Sequence, residues 1–263
     1  MNVVIVGAAG RMGQALLRCA AAAGMNVVAA VEDKSCPLLG KPVNVAGLSS
    51  DLVYTTEWPS DADAVIDFSF HACVPSHLET AVKYRQGFVL GTTGLDAAEL
   101  EAVNRAAQEI PVVRSANMST GVNLLLELVR RSASILGADY DIEITEIHHR
   151  LKKDAPSGTA LMLAEEAAAG RKTPLADVAC YGREGIVGER PCGEIGIHAI
   201  RGGSVVGDHT VMFMADEERI EITHKAHSRD AFAKGALRAG EWLVGRKPGL
   251  YSMRNVLGFE NEQ

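Results

Sequence analysis

Asn2-Val3-Val4-Ile5-Val6-Gly7-Ala8-Ala9-Gly10-Arg11-Met12-Gly13 opens the chain, and its reading decides the fold of the first part. After Asn2 the run to Val6 is β-branched throughout, which suits a strand buried on both faces. Gly7 to Gly13 follows with small residues at the spacing G-x-x-G-x-x-G, and the alanine-rich stretch Met12 to Ala23 reads as a helix. A second valine-rich apolar run, Val27 to Val31, ends at Glu32 and Asp33. Strand, glycine loop, helix and strand in that order begin a doubly wound parallel sheet. Small residues let backbone N–H groups approach a pyrophosphate, and the helix N-terminus adds a favourable dipole. An acid at the end of the second strand, about 20 residues on, is where adenosine ribose hydroxyls are held. Gly7, Ala8, Ala9, Gly10, Arg11, Met12, Gly13 and Glu32 are therefore expected to bind a dinucleotide. A tight turn without ligand is the other reading of the glycines, and the strand, helix and acid together weigh against it.

The alternation continues with strands at Ala64 to Asp67, Phe88 to Leu90 and Pro111 to Val113, and helices at Pro75 to Tyr84 and Ala97 to Gln108. Two further small-residue turns, Gly91-Thr92-Thr93-Gly94 and Ser115-Ala116-Asn117-Met118, follow strands at their carboxyl ends. Open α/β sheets place ligands there, so both turns are expected to line the cofactor site. After about Thr120 the rhythm changes. A long amphipathic helix, Val122 to Leu136, and a strand, Ile142 to Ile147, lead to a helix at Leu161 to Ala169. Strands then follow one another at Ile195 to Ile200, His209 to Met214 and Arg219 to Thr223, which predicts a mixed or antiparallel sheet. Asp230 to Val244 is helical again. The fold class is thus α/β: a Rossmann domain over 1–119, completed by 230–263, and a central α+β domain over 120–229 for substrate and oligomerisation.

The 263 residues, 47% hydrophobic and 22% charged, have a globular composition. A formal net charge of -7 supplies no overall positive field for nucleic acid or an anionic membrane, so neither is an expected partner. The five cysteines are scattered without a C-x-x-C pair, which indicates neither a disulfide framework nor a zinc site. No apolar run approaches the ~20 residues of a membrane span. Nor does a basic leader precede the first strand. A cytoplasmic location is expected.

Against this acidic background, Glu146-Ile-His148-His149-Arg150-Leu-Lys152-Lys153-Asp154-Ala-Pro156-Ser157-Gly158-Thr159 concentrates positive charge. Charge runs are usually solvated loops. Here a packed strand delivers the histidines, and Pro-Ser-Gly-Thr opens a helix that Ser157 or Thr159 can cap. Protonatable imidazole, ammonium and the free N–H groups of a helix end suit a small acidic substrate. Adjacent histidines on a strand point to opposite faces, and the other six form no H-x-x-x-H set, so no metal site is expected.

These motifs together resemble the 4-hydroxy-tetrahydrodipicolinate (dihydrodipicolinate) reductase family. The likeness runs in order through the glycine loop, Asp67-Phe-Ser69, Gly91-Thr-Thr-Gly94, Asn117-Met-Ser119, the His-His-Arg-x-Lys block with Asp154-Ala-Pro-Ser-Gly-Thr159, and Ile222-Thr-His-Lys-Ala226. It implies a Rossmann domain built from both chain ends and a central domain that also forms a homotetramer. NADH or NADPH would reduce a small cyclic dicarboxylate. By the resemblance, His148 is a proton donor and acceptor, Lys152 a proton donor, and His149, Gly158, Thr159 and Arg229 contact substrate. Leu151 replaces a histidine found in some relatives, and Met118 replaces a phenylalanine beside the nicotinamide. Relatives that use NADPH readily tend to have Arg after the ribose-binding acid. Asp33 stands there and would repel a 2′-phosphate, while Lys34 and Arg11 oppose it, so NADH is expected to be weakly preferred. Two other functions compete: another nicotinamide-dependent reductase of similar architecture, and a catalytically silent dinucleotide sensor. Neither needs the cationic block.

Overall fold

The computed structural model describes residues 1–259, which divide into two compact units, 1–120 with 229–259 and 121–228. The first contains β1 (Asn2–Val6), α1 (Arg11–Ala22), β2 (Asn26–Val31), β3 (Tyr54–Thr55), β4 (Ala64–Asp67), α2 (Val74–Tyr84), β5 (Gly87–Leu90), α3 (Ala97–Ala106) and β6 (Pro111–Arg114). The second contains α4 (Thr120–Leu136, its first residue at the boundary), β7 (Asp141–His148), α5 (Gly158–Gly170), α6 (Leu175–Val178), β8 (Ala179–Tyr181), β9 (Ile195–Arg201), β10 (Gly207–Met214) and β11 (Arg219–Ala226). The chain then returns to the first unit with α7 (Asp230–Leu243), β12 (Gly249–Tyr251) and α8 (Met253–Leu257).

In the first unit the strands form one parallel sheet in the order β12-β6-β5-β4-β1-β2-β3. Its interior strands are apolar on both faces because helices cover both. Val3 and Ile5 of β1 and Ile66 of β4 belong to the cluster with α1 and α7. Val4, Val6 and Val65 belong to the opposite cluster with α2 and α3. The strand order reverses between β1 and β4, which opens a crevice beyond their carboxyl ends. Gly235 lets α7 lie close, since a Cβ there would collide with the Met118 carbonyl.

The five-stranded sheet of the second unit has the order β11-β10-β7-β9-β8 and is mixed. β7 pairs antiparallel with β10 and parallel with β9. Alternate residues of β7, β9 and β10 (Ile142, Ile144, Ile195, Ile197, Val211 and Phe213) pack under α4 and α5. Toward its C-terminal end β7 keeps the alternation and changes its chemistry. Glu146 and His148 follow Ile142 and Ile144 on that same face, because side chains two apart share a face.

Candidate active site

The first unit offers a cradle around the glycine loop. Gly7 has φ +75°, and a Cβ there would lie 2.5 Å from the Phe68 carbonyl oxygen. A Cβ on Gly13 would collide with the Gly7 carbonyl and with Ala8. Both glycines therefore permit close backbone packing that no other residue allows. Gly10 precedes α1 with no side-chain cap, which leaves first-turn amides and the positive end of the helix open. Beside the loop is a cavity of about 880 Å³, lined in part by Gly7, Ala9, Gly10, Glu32, Asp33 and Lys34. The Ala9 N–H donates to Glu32 Oε1 at 2.5 Å, so the acid sits against the loop. Asp33 accepts from the Ser35 hydroxyl at 2.6 Å and from the Ser35 N–H at 2.9 Å, and these bonds hold its carboxyl below the usual range. A close-packed glycine loop, an uncapped helix start and an acid on one cavity fit a dinucleotide.

The two later turns lie outside the lining of this cavity. A Cβ on Gly91 would strike the Phe68 ring. Asp67, fully buried, accepts from the Ser69 N–H, the Ser69 hydroxyl and the Thr92 hydroxyl at 2.9, 2.6 and 2.9 Å, and its other oxygen lies 2.7 Å from His77 Nδ1. Thr92 thus braces the crevice through Asp67, while Thr93 is exposed. Ser115 donates to the Asn117 carbonyl at 2.8 Å, Asn117 accepts from the Ser119 N–H at 2.9 Å, and Ala116 is exposed. Met118 is 1% exposed and belongs to the core cluster with α7, and a Cβ on Gly235 would collide with its backbone carbonyl. Arg11 is exposed at the start of α1, Ala8 and Gly13 are buried under the loop, and Met12 packs against the same core.

In the second unit the end of β7 and the start of α5 converge on one carboxylate. Glu146 is 0% exposed. Its Oε2 lies 2.5 Å from His148 Nδ1 and accepts from Arg201 Nη1 at 2.8 Å. Its Oε1 accepts from Arg201 Nη2 at 2.7 Å and from the Ser157 N–H at 3.0 Å. Burial alone would raise this carboxyl, but the bonds from Arg201, His148 and Ser157 outweigh it and hold the group below its usual value. Ser157 caps α5 by accepting from the Ala160 N–H at 3.2 Å, and its hydroxyl is 3.1 Å from His209 Nε2. His209 meets the His148 ring edge-on at 5.2 Å, and burial pushes its pKa down to about 4, so it is neutral.

The turn after β7 is anchored by the His149 N–H, which donates to the Val205 carbonyl at 2.8 Å. Lys152 Nζ lies 2.9 Å from Asp154 and holds that carboxyl low. Gly158 and Thr159 form the first turn of α5, so the structure brings His148, His149, Lys152, Gly158 and Thr159 to one end of this unit. Arg229 belongs to the first unit, exposed immediately before α7.

Sequence reading missed Glu146, Arg201 and His209 as site groups. For Glu146 the signal was available: it stands two residues before His148 on a strand and so shares its face. Arg201 and His209 reach the site only through the register of β9 and β10, which no local pattern encodes. Among the described residues, no group of three or more His, Cys, Asp or Glu side chains is placed to hold a metal ion.

A doubly wound sheet whose switch point carries a glycine loop and an acid is the architecture of nicotinamide-dependent oxidoreductases. The chain belongs to the dihydrodipicolinate reductase family, whose N-terminal model matches residues 1–118 and whose C-terminal model matches residues 121–257. It is 42% identical to the 4-hydroxy-tetrahydrodipicolinate reductase of Syntrophus aciditrophicus, over 99% of this chain and 100% of the relative. It is 47% identical to the protein of the same name from Anaeromyxobacter dehalogenans, over 98% of this chain and 97% of the relative. The fold is also that of a dipicolinate-bound dihydrodipicolinate reductase from Paenisporosarcina sp. TG-14. There the TM-score is 0.77 at 22% identity, with 97% and 98% of the two chains covered.

Proposed function

We propose that the protein reduces 4-hydroxy-tetrahydrodipicolinate to tetrahydrodipicolinate in lysine and diaminopimelate biosynthesis, with loss of water and at the expense of NADH or NADPH. The observation that carries this reading is the end of β7. There a histidine backed by a buried carboxylate, a lysine and a capped helix N-terminus form one cationic, anion-accepting surface in a chain of net charge -7.

The bound nicotinamide supplies a hydride. Adding it to a conjugated imine leaves negative charge on the ring system, and a proton must neutralise that charge. Hydride plus proton, less water, accounts for the atoms of the overall change. His148 exchanges the proton and Lys152 donates one, while His149, Gly158 and Thr159 hold substrate carboxylates with backbone N–H groups and positive charge. Arg229 contacts substrate in the same reading. Gly7 to Gly13, Glu32, Asp33, Gly91 to Thr93 and Ser115 to Met118 serve the dinucleotide. NADH is weakly preferred because Asp33 opposes a 2′-phosphate.

The protein works as a cytoplasmic homotetramer assembled through the second unit. Among the described residues, no helix is long and apolar enough to cross a membrane. The test is the loss of reduced-nicotinamide absorbance when purified protein meets the condensation product of pyruvate and aspartate semialdehyde, made in situ. Oxidation that needs both precursors supports the reading. No oxidation with them, or equal oxidation with a simple 2-oxo acid and ammonia, refutes it.

A further inference from the structure

We propose that Glu146, clamped by Arg201, is the positioning group that fixes His148 with its proton on Nδ1 and leaves Nε2 as the nitrogen that exchanges protons with substrate. This rests on the catalytic reading of His148 given above.

The geometry leaves Nδ1 one role. Glu146 is fully buried on the inward face of β7, where an isolated carboxylate is costly and survives ionised only with partners. It has them on both oxygens: the forked guanidinium of Arg201 at 2.7 and 2.8 Å, and the Ser157 N–H at 3.0 Å. An ionised carboxylate only accepts hydrogen bonds, so the His148 Nδ1 that lies 2.5 Å away must carry hydrogen and donate. Nε2 is then the free nitrogen. It keeps room beside Gly207, where a Cβ would come within 3.0 Å of it.

The remaining neighbours do not disturb this arrangement. His209 on β10 is neutral and has its Nε2 on Ser157, so it puts no positive charge against an imidazolium. His224 on β11 pairs in register with His209, and burial lowers its pKa also. In the turn after β7, Lys152 is matched by Asp154. Glu146 and Arg201 therefore act on His148 with opposite signs. The carboxylate favours the protonated ring, and the guanidinium offsets part of that charge.

A brace that merely joined β7, β9 and α5 would show no such opposition, and this makes the two roles separable. The experiment compares Glu146→Gln and Arg201→Gln by the pH dependence of kcat/KM, with KM and kcat measured separately and folding checked by thermal melts. Positioning predicts that Glu146→Gln lowers kcat by about 10²-fold with little change in KM. Its alkaline limb moves down by about one pH unit, and that of Arg201→Gln moves up. If Glu146→Gln does not fold, the upward shift in Arg201→Gln carries the test alone. Limbs that stay at the wild-type pH, or move together, overturn the proposal while leaving the wild-type reaction intact. A wild type that does not reduce the substrate overturns instead the catalytic reading beneath it.

Discussion

Glu143 allows a stability prediction with a defined sign and size. It lies on the other face of β7, where Arg183, Arg190 and His198 converge on it. Arg183 donates to it at 2.7 and 3.1 Å, Arg190 donates at 3.0 Å, and His198 Nε2 lies 2.6 Å away. Burial would raise the carboxyl, but these partners take it from the ordinary 4.5 down to about 2. At about 1.4 kcal/mol per pH unit, that difference is worth roughly 3 kcal/mol of folding stability. A carboxyl lowered on folding contributes fully above its unfolded value and loses the contribution as pH falls through the folded one. The contribution is thus complete near pH 7, and about 1.4 kcal/mol of it is gone near pH 3.5. Glu143→Gln removes the titration, so wild type should exceed the variant by roughly 3 kcal/mol near neutrality. That gap should narrow by about 1.4 kcal/mol near pH 3.5. Urea unfolding at fixed protein concentration measures it. A gap of the same size at both pH values would show that shape and hydrogen bonding, and not charge, set the cost.

Two further outcomes are expected. Asp33→Arg replaces a repelling carboxylate with a partner for a 2′-phosphate, so the kcat/KM ratio of NADH to NADPH should fall; a wild-type preference for NADPH would mean that Lys34 or Arg11 outweighs the acids. Sedimentation at micromolar protein should show a tetramer, and a monomer there would remove oligomerisation from the account.

The α/β class was legible because its signals are local. Val3 to Val6 is β-branched without a break, and Gly7 and Gly13 are glycines because a Cβ would strike backbone. The mixed second sheet showed itself as strands met without helices between them. β3, β8 and β12 were not legible, since two or three residues cannot display a period. α8 was missed for the same reason, although Ser252 and Asn255 form a capping box at its start. β7 and β11 run further than the apolar pattern predicts, to His148 and Ala226, because ladder pairing continues where side chains turn polar. Glu146 lies inside the predicted strand; the partner that no local pattern shows is Arg201, which β9 brings to it from 55 residues away in the chain.

In the proposed reaction the end of β7 carries out the proton chemistry while the glycine loop independently holds the dinucleotide. The most direct measurement is kcat at saturating substrate for His148→Gln and Lys152→Ala, with dinucleotide affinity determined on the same preparations. Each variant is expected to lose about 10²–10³-fold in kcat, with affinity for the dinucleotide essentially unchanged. Wild-type turnover in both variants would contradict it.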